Sequence, residues 1–485
     1  MVGLIDSILQ KYESVWALNH ALSLMNWDLE TYMPEDGAAR RGEATASVEL
    51  LKRNIILSMR EEVERAAKQE GLDDINKGMI RVLKRQLDFY TKIPSETIEK
   101  LYRITSTASV VWRKARATND FKSFSPLLKT IVEINREIAE KMGYTKHPYN
   151  ALLDINEEGL TTEDLDSILS QIVPVIKDVV SKTHMPSKHE LEKVRYKEED
   201  MRRVNESLID ILQMPRKKFR MDVSAHPFTV GMSVSDVRIT TRYEGIDFRS
   251  TMFSVIHEAG HAIYELQLPS ELEKTPVGVA VSGGIHESQS RFWENVIGRS
   301  REFVEIVYPI LTKYLDFVKK YDHEEIYRYF NIVRPSTIRV DADEVTYNLH
   351  IAVRYEIEKR LIDGSISVDE APELWNELME KYVGVRPSSD SDGILQDIHW
   401  SGGAFGSFPN YLIGNVVAGM IYSKIGKLRR YITEQDFSSV KGFLKDKIHQ
   451  YGSIYPPKEL LKRSFGESYN AEHLAMYLRE KYLSY

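Results

Sequence analysis

The strongest constraint on how this chain can fold is a helix that must present two histidines on one buried face. His257-Glu258-Ala259-Gly260-His261 sets the imidazoles four residues apart, an offset of only ~40° around a helix and ~6 Å along it. Both rings can then reach one metal ion, and Glu258 can lean toward that ion's open side. Two neutral nitrogen ligands with a carboxylate poised to take a proton from an attacking water make a hydrolytic site. Met252, Phe253, Val255, Ile256, Ile263, Tyr264 and Leu266 flank the motif, and the apolar stretch runs to Leu268-Pro269. A helix with two surface histidines would not carry such flanks. It is expected to be buried, where exclusion of water strengthens a metal site.

A catalytic zinc site usually takes three protein ligands and keeps one position open. The 485-residue chain has no cysteine. That removes thiolate ligands, disulfides and cysteine nucleophiles, and leaves His, Asp or Glu as the third ligand. The cluster His286-Glu287-Ser288 lies far enough beyond His261 for the chain to turn and return as a helix that Ser288, Arg291 and Phe292 continue. Glu287, expected in the first turn of that helix, is the preferred ligand because two histidines and a glutamate are a common peptidase set. His286 competes for the role. Glu294 shares the helical face of Glu287 and is either another candidate for the third ligand or a support for Glu287.

A formal net charge of −7, with 42% hydrophobic and 28% charged residues, describes an ordinary globular protein. No Lys/Arg-rich tract points to nucleic acid. The N-terminus Met1-Val2-Gly3-Leu4-Ile5-Asp6 does not read as a signal peptide. The longest apolar run, around Ile413 to Ile421, is broken by Gly414, Asn415 and Gly419, so no membrane-crossing segment is expected. The absence of cysteine fits a reducing compartment, and a cytoplasmic location is the expectation.

Helical periodicity dominates the first two hundred residues, with helices expected over Gly3–Met25, Ala38–Gln69, Ile80–Tyr90, Ser95–Thr118 and Ser123–Met142. Pro94-Ser95-Glu96 and Thr161-Thr162-Glu163-Asp164 read as helix starts with capping hydroxyls. The charged segment Lys188–Asp200 reads as a solvated helix or loop. Phe219–Val223 and Phe228–Arg242, with Gly231 between, predict a hairpin or small sheet. Helices resume from Asp247, and Gly283-Gly284, Pro387–Gly393 and Ser401–Gly403 mark loops. The fold class that follows is mainly α. We expect a single large helical fold over 1–485, with a small β-sheet beside the HExxH helix and a deep groove that holds the metal at its floor.

His257-Glu258-Ala259-Gly260-His261, His286-Glu287-Ser288-Gln289-Ser290, His226-Pro227-Phe228, Asp236-Val237-Arg238-Ile239-Thr240 and Gly393-Ile394-Leu395-Gln396-Asp397-Ile398-His399-Trp400 occur in this order. Together with Trp27-Asp28, Met33-Pro34, Gly37, Arg40 and Ile338-Arg339-Val340-Asp341-Ala342-Asp343-Glu344, they resemble the M32 family of thermostable metallocarboxypeptidases over nearly the whole chain. The resemblance implies a helical fold with a long groove and usually a homodimer. It also implies His257, His261 and Glu287 as metal ligands and Glu258 as general base. One departure is Ser407 in Gly402–Leu412, where relatives commonly carry tyrosine.

Peptide hydrolysis also needs a donor to the developing oxyanion, and Tyr411 and His399 are the candidates, with Tyr411 preferred because Phe408-Pro409-Asn410-Tyr411 resembles the family's Phe-Pro-x-Tyr segment. A structural bond from His399 to Asp397 or a backbone carbonyl is the plainer alternative for that ring. An exopeptidase must hold a free C-terminal carboxylate, which suits the planar fork of arginine. Arg238 and Arg339 are the candidates, with Arg238 favoured by its short connection to the HExxH helix. Either could instead hold Asp236, Asp341 or Asp343, and Asp341 or Asp343 could orient a ligand imidazole. The expected cofactor is Zn2+, with Co2+ or another divalent ion also suited to the ligands. The expected substrates are peptides with a free C-terminus. Two other readings remain: an oligopeptidase with a groove open at both ends, and a non-enzymatic scaffold around a structural metal.

Overall fold

The computed structural model describes residues 3–183 and 188–483. Among these residues the protein is built from twenty α-helices and one three-stranded sheet. The first helix, Leu4–Thr31, packs with Ala38–Ser58, Arg60–Ala66 and Asp74–Lys92 around a small core of their own that includes Ile8, Val15, Ile56, Met59 and Leu83. The single helix expected over Ala38–Gln69 is in fact two, broken at Met59. No glycine or proline marks the break. Met59 is fully buried there, so the bend follows from tertiary packing and not from local propensity.

Other boundaries follow local chemistry. The helix Asp74–Lys92 starts where the Asp73 side chain accepts from Asn76 N–H, and Thr161 and Asp164 form a capping box at Thr162–Lys182. Ser95–Thr118 matches the expectation and ends on Asn119 in the left-handed region. Its capping hydroxyl does not form. Pro94 occupies the cap position without a side-chain bond, and Ser95 Oγ accepts from Arg53 instead. The segment Lys188–Asp200 is less solvated than its charge suggests: Leu191 is buried, and Glu192 is tied to Arg334.

The sheet consists of β1 (Phe219–Val223), β2 (Thr229–Ser233) and β3 (Asp236–Thr241), in the order β1-β3-β2. A tight turn joins β2 and β3 as an antiparallel hairpin, with Val230 opposite Arg238, while β1 adds in parallel on the far side, Met221 opposite Ile239. Val237 and Ile239 are buried, and β2 and β3 lie against the helix Phe248–Leu266, which carries His257, Glu258 and His261. Alternation sends Arg238 to the opposite face.

Three helices form the centre of the main core. Gly283–Arg291 crosses the HExxH helix on one side and Pro409–Ile425 on the other. Gly283 and Gly284 open the crossing helix and are not a loop, with Ser282 as its cap. The apolar run around Ile413 to Ile421 is this buried third helix. The crossings are close because glycines sit at the contacts. A Cβ on Gly260 would lie 2.7 Å from Ser290 Cα, and one on Gly414 would lie 2.6 Å from Glu287 Cγ. A cleft of about 910 Å³ opens between the helices Asp74–Lys92 and Tyr149–Asn156 and the segment 279–281, which leads into the crossing helix. The histidines and Glu287 do not line it.

Gly260→Ala is expected to destabilise the protein by about 1–3 kcal/mol through overpacking against backbone that cannot yield. Thermal unfolding checks this, and an unchanged midpoint would mean that the two helices can separate freely.

Candidate metal centre

His257 and His261 lie one helical turn apart, their rings 4.9 Å apart and inclined at 79°. Glu287 comes from the crossing helix. As the fifth residue of Gly283–Arg291 it lies beyond the first turn expected for it. Its Oε2 is 3.8 Å from His257 Nε2 and 3.4 Å from His261 Nε2. One donor atom from each residue lies within 4.8 Å of the other two, and the three side chains are only 19%, 15% and 9% exposed. Two imidazole nitrogens and a carboxylate oxygen at this spacing fit one small divalent ion with an open coordination position.

Each donor is oriented from behind. His257 Nδ1 meets Glu294 Oε2 at 2.9 Å, so Glu294 backs His257 and not Glu287, the residue it was expected to support. The residues from Phe292 to Ile297 form a π-turn, which rotates Glu294 relative to Glu287. Arg291 then bridges the two acids, with Nε 2.7 Å from Glu287 Oε1 and Nη1 3.4 Å from Glu294 Oε2. Arg299 donates to Glu294 Oε1 at 3.1 Å. Burial opposes ionisation of both acids. Arg291 and His257 nevertheless hold Glu287 well below the carboxylate range, and the bond to His257 with Arg291 does the same for Glu294. His257 is raised, because Glu287 and Glu294 outweigh its burial.

His261 is backed by a second histidine. His286 Nε2 lies 2.7 Å from Glu265 Oε1, and its Nδ1 lies 2.5 Å from His261 Nδ1. The carboxylate fixes the His286 proton on Nε2, so His286 Nδ1 accepts from His261 Nδ1–H. That leaves the His261 Nε2 lone pair facing Glu287. Burial pushes His261 down to about 3, with Glu287 opposing it, which keeps the ring neutral. Asp343 orients neither imidazole: it accepts from Thr346 Oγ1 and from the N–H groups of Arg334 and Val345. Its polar neighbours stiffen a loop, because the chain folds back on it locally.

Glu258, next to His257 in sequence, is buried, with the Thr229 hydroxyl of β2 2.6 Å from its Oε2. Burial raises its carboxyl, which His257 partly offsets. A further cluster is built on Arg339. Its guanidinium donates to Asp397 Oδ1 at 2.7 Å and to Tyr347 OH at 2.8 Å, and lies 5.2 Å from the Tyr411 ring centre. Asp397 also accepts from the fully buried Arg354. His399 Nε2 lies 3.3 Å from Tyr411 OH, and its Nδ1 has no partner among the described residues. The bond from His399 to Asp397 or a backbone carbonyl does not form. Burial, with Arg339, lowers His399 to about 4. Burial also raises Tyr411, with Tyr347 and Glu287 adding to it, so the phenol stays protonated.

Arg238 is placed differently. Its Nε and Nη2 both bond Asp236 at 2.8 Å, and its plane lies 4.6 Å from the Trp27 ring centre. The Ser407 hydroxyl donates to the carbonyl of Ala404 within the loop. Sequence reasoning missed Arg291, Thr229, Glu265 and Arg354. The Glu287–Arg291 spacing of one helical turn was a readable signal for the first; the others meet the site only through tertiary contact.

Glu294→Ala should weaken metal binding by ~10–100-fold while leaving the three donors in place. Chelator competition measures this, and unchanged affinity would mean that His257 needs no partner behind it.

A profile of the carboxypeptidase Taq (M32) metallopeptidase family matches residues 7–482. Thermostable carboxypeptidase 1 of Pyrococcus furiosus is 44% identical over 490 aligned residues, covering 99% of this chain and 98% of that protein. A solved structure of the Pyrococcus furiosus carboxypeptidase superposes with a TM-score of 0.97 at 43% identity, covering 99% of each chain. Metallocarboxypeptidase 1 of Trypanosoma cruzi gives 0.93 at 35% identity, again over 99% of each. With the motifs, the helical body and the donor set all in agreement, the chain belongs to the carboxypeptidase Taq (M32) family of metallopeptidases.

Proposed function

We propose that the protein is a metal-dependent carboxypeptidase that removes residues from the free C-terminus of peptides. The observation that carries this reading is a three-donor set, with the buried Glu258 carboxylate next to His257 in sequence and held by Thr229, and a buried arginine–tyrosine–histidine group. A structural metal site would have no use for the base and would take a fourth protein ligand. His257, His261 and Glu287 would hold the ion, and a zinc ion suits two imidazoles and one carboxylate, with cobalt as an alternative. Such an ion, when bound, supplies Lewis acidity that polarises the scissile carbonyl and acidifies a water.

The chain's own residues do the rest. Glu258 Oε1 is free of the Thr229 bond and takes the proton of the attacking water, then returns it to the leaving amine. Tyr411, kept protonated, donates its O–H to the oxyanion as charge develops there. His399, kept neutral, sets the direction of that hydroxyl. For the C-terminal carboxylate we favour Arg339 over Arg238. Asp397 and Tyr347 use three of the five Arg339 N–H groups, which leaves two, and the guanidinium lies 5.2 Å from the Tyr411 ring centre. Arg238 points away from the HExxH helix toward Trp27. A homodimer and a cytoplasmic location belong to the same reading, the first resting on family resemblance and the second on a cysteine-free composition.

Glu258→Gln should retain one equivalent of metal and lose ~10²–10⁴-fold in rate, since the amide keeps the shape but cannot accept a proton. Loss of the metal would make Glu258 a ligand. An N-blocked peptide assayed as free acid and as amide tests the exopeptidase reading. Amidation should cost ~1.5–3 kcal/mol, or roughly 10- to 150-fold in kcat/KM. Arg339→Ala should cost a similar factor on the acid and little more on the amide. Equal cleavage of acid and amide by the unmodified protein would favour an oligopeptidase.

A further inference from the structure

A π-turn shifts its backbone out of α register, and carbonyls at its end must find partners elsewhere. In Phe292–Ile297, Gly298 N–H reaches back to Trp293 O at 2.8 Å and Ser300 N–H turns to Ile297 O at 3.0 Å. The Asn295 carbonyl is met by side chains of the last helix, Glu472–Leu483. Lys481 Nζ and Tyr477 OH each lie 3.1 Å from it.

Counting protons decides which of them donates. The Tyr477 hydroxyl has one proton, and Glu344 Oε1 at 2.6 Å is a nearer and charged acceptor. The phenol therefore donates to Glu344. The ammonium of Lys481 has three protons and three acceptors around it: Glu344 Oε2 at 2.6 Å, Tyr477 OH at 3.0 Å and Asn295 O. Glu344 also accepts from Tyr482 OH at 2.7 Å. Lys481 and Glu344 are only 8% and 5% exposed. A charge pair this deep is tolerated only when every proton is used, and fastening a terminal helix needs no such pair.

We propose that Lys481 is a positioning residue for the metal centre. It closes the π-turn by holding the Asn295 carbonyl, and the turn sets the neighbouring Glu294 against His257 Nδ1 and Arg291. The last helix is thereby part of the metal site although none of its residues touches the donors. This inference rests on the reading of His257, His261 and Glu287 as metal ligands.

The test compares three variants with the unmodified full-length protein. Lys481→Met/Glu344→Gln removes the donor without leaving a buried unpaired charge. Tyr477→Phe is the milder change, removing one of the three acceptors that hold the Lys481 ammonium against the Asn295 carbonyl, and Leu478→Ala weakens the packing of the same helix, where Leu478 is fully buried, without altering a side chain that bonds the turn. Zinc affinity is read by competition with a chromophoric chelator, ligand geometry by the visible spectrum of the cobalt-substituted protein, and stability by thermal unfolding. The double variant should lose ~10-fold in zinc affinity, the lower end of what removing a ligand's supporting partner costs, with a changed cobalt spectrum. Tyr477→Phe should show a smaller loss in the same direction. Leu478→Ala should lower the thermal midpoint with affinity and spectrum unchanged. Unmodified affinity and spectrum in both Lys481→Met/Glu344→Gln and Tyr477→Phe, or an equal affinity loss in Leu478→Ala, would overturn the proposal. Should the double variant not fold, Tyr477→Phe against Leu478→Ala decides it alone. Absence of zinc binding by the unmodified protein would instead overturn the metal reading beneath it.

Discussion

An ionised carboxylate buried where Glu287 sits would be strongly unfavourable by itself, and the surroundings of the site compensate it. Arg291, one turn along the same helix, supplies a fixed positive charge and reaches Glu294 as well, so two buried acids share one guanidinium. Arg291 lies in turn 4.2 Å from the ring centre of Tyr347, which also accepts from Arg339. The charges form a continuous chain from the donor set to the cluster around Asp397. Close packing holds that chain in place. Gly260 and Gly414 let the crossing helix approach both neighbours so nearly that the Glu287 side chain has no room for another direction.

The histidines depend on this frame unequally. His257 is raised by two carboxylates and backed by a π-turn that the rest of the helix would not produce alone. His261 is kept neutral by burial and is backed by a second histidine that Glu265 orients. Glu265 also lies against Gly231 of β2, where a Cβ would come within 2.4 Å of its Oε2. The small sheet therefore holds the Glu258 carboxylate through Thr229 and packs against the outer end of the Glu265–His286–His261 chain at Gly231.

Much of this was legible in the sequence where the signal is periodic or local. The buried HExxH helix, the strands around Gly231 and the capping box at Thr161 all follow from spacing. Long-range contact was not legible. Nothing local marks the break at Met59. Gly283-Gly284 has the composition of a loop but opens a helix, because Gly284 must fit against Ile413 and Glu157. The preference for Arg238 came from chain proximity and ignored strand alternation, which turns that side chain to Trp27. Asp343 carried the composition of a ligand support and is used by its own loop, while the residues that do back the two histidines are His286, beside Glu287 in its motif, and Glu294, seven residues beyond it. The part of the last helix, ending at Lys481, becomes visible only once the π-turn and its carbonyl are seen.

The most direct measurement is anomalous diffraction at the zinc edge from crystals of the protein loaded with one equivalent of zinc. The arrangement described here predicts one strong peak, ~2.0–2.2 Å from His257 Nε2, His261 Nε2 and a Glu287 oxygen, with no protein atom in the fourth position. A peak ligated by His286 or Glu294 in place of Glu287, or a fourth protein ligand closing the site, would contradict it.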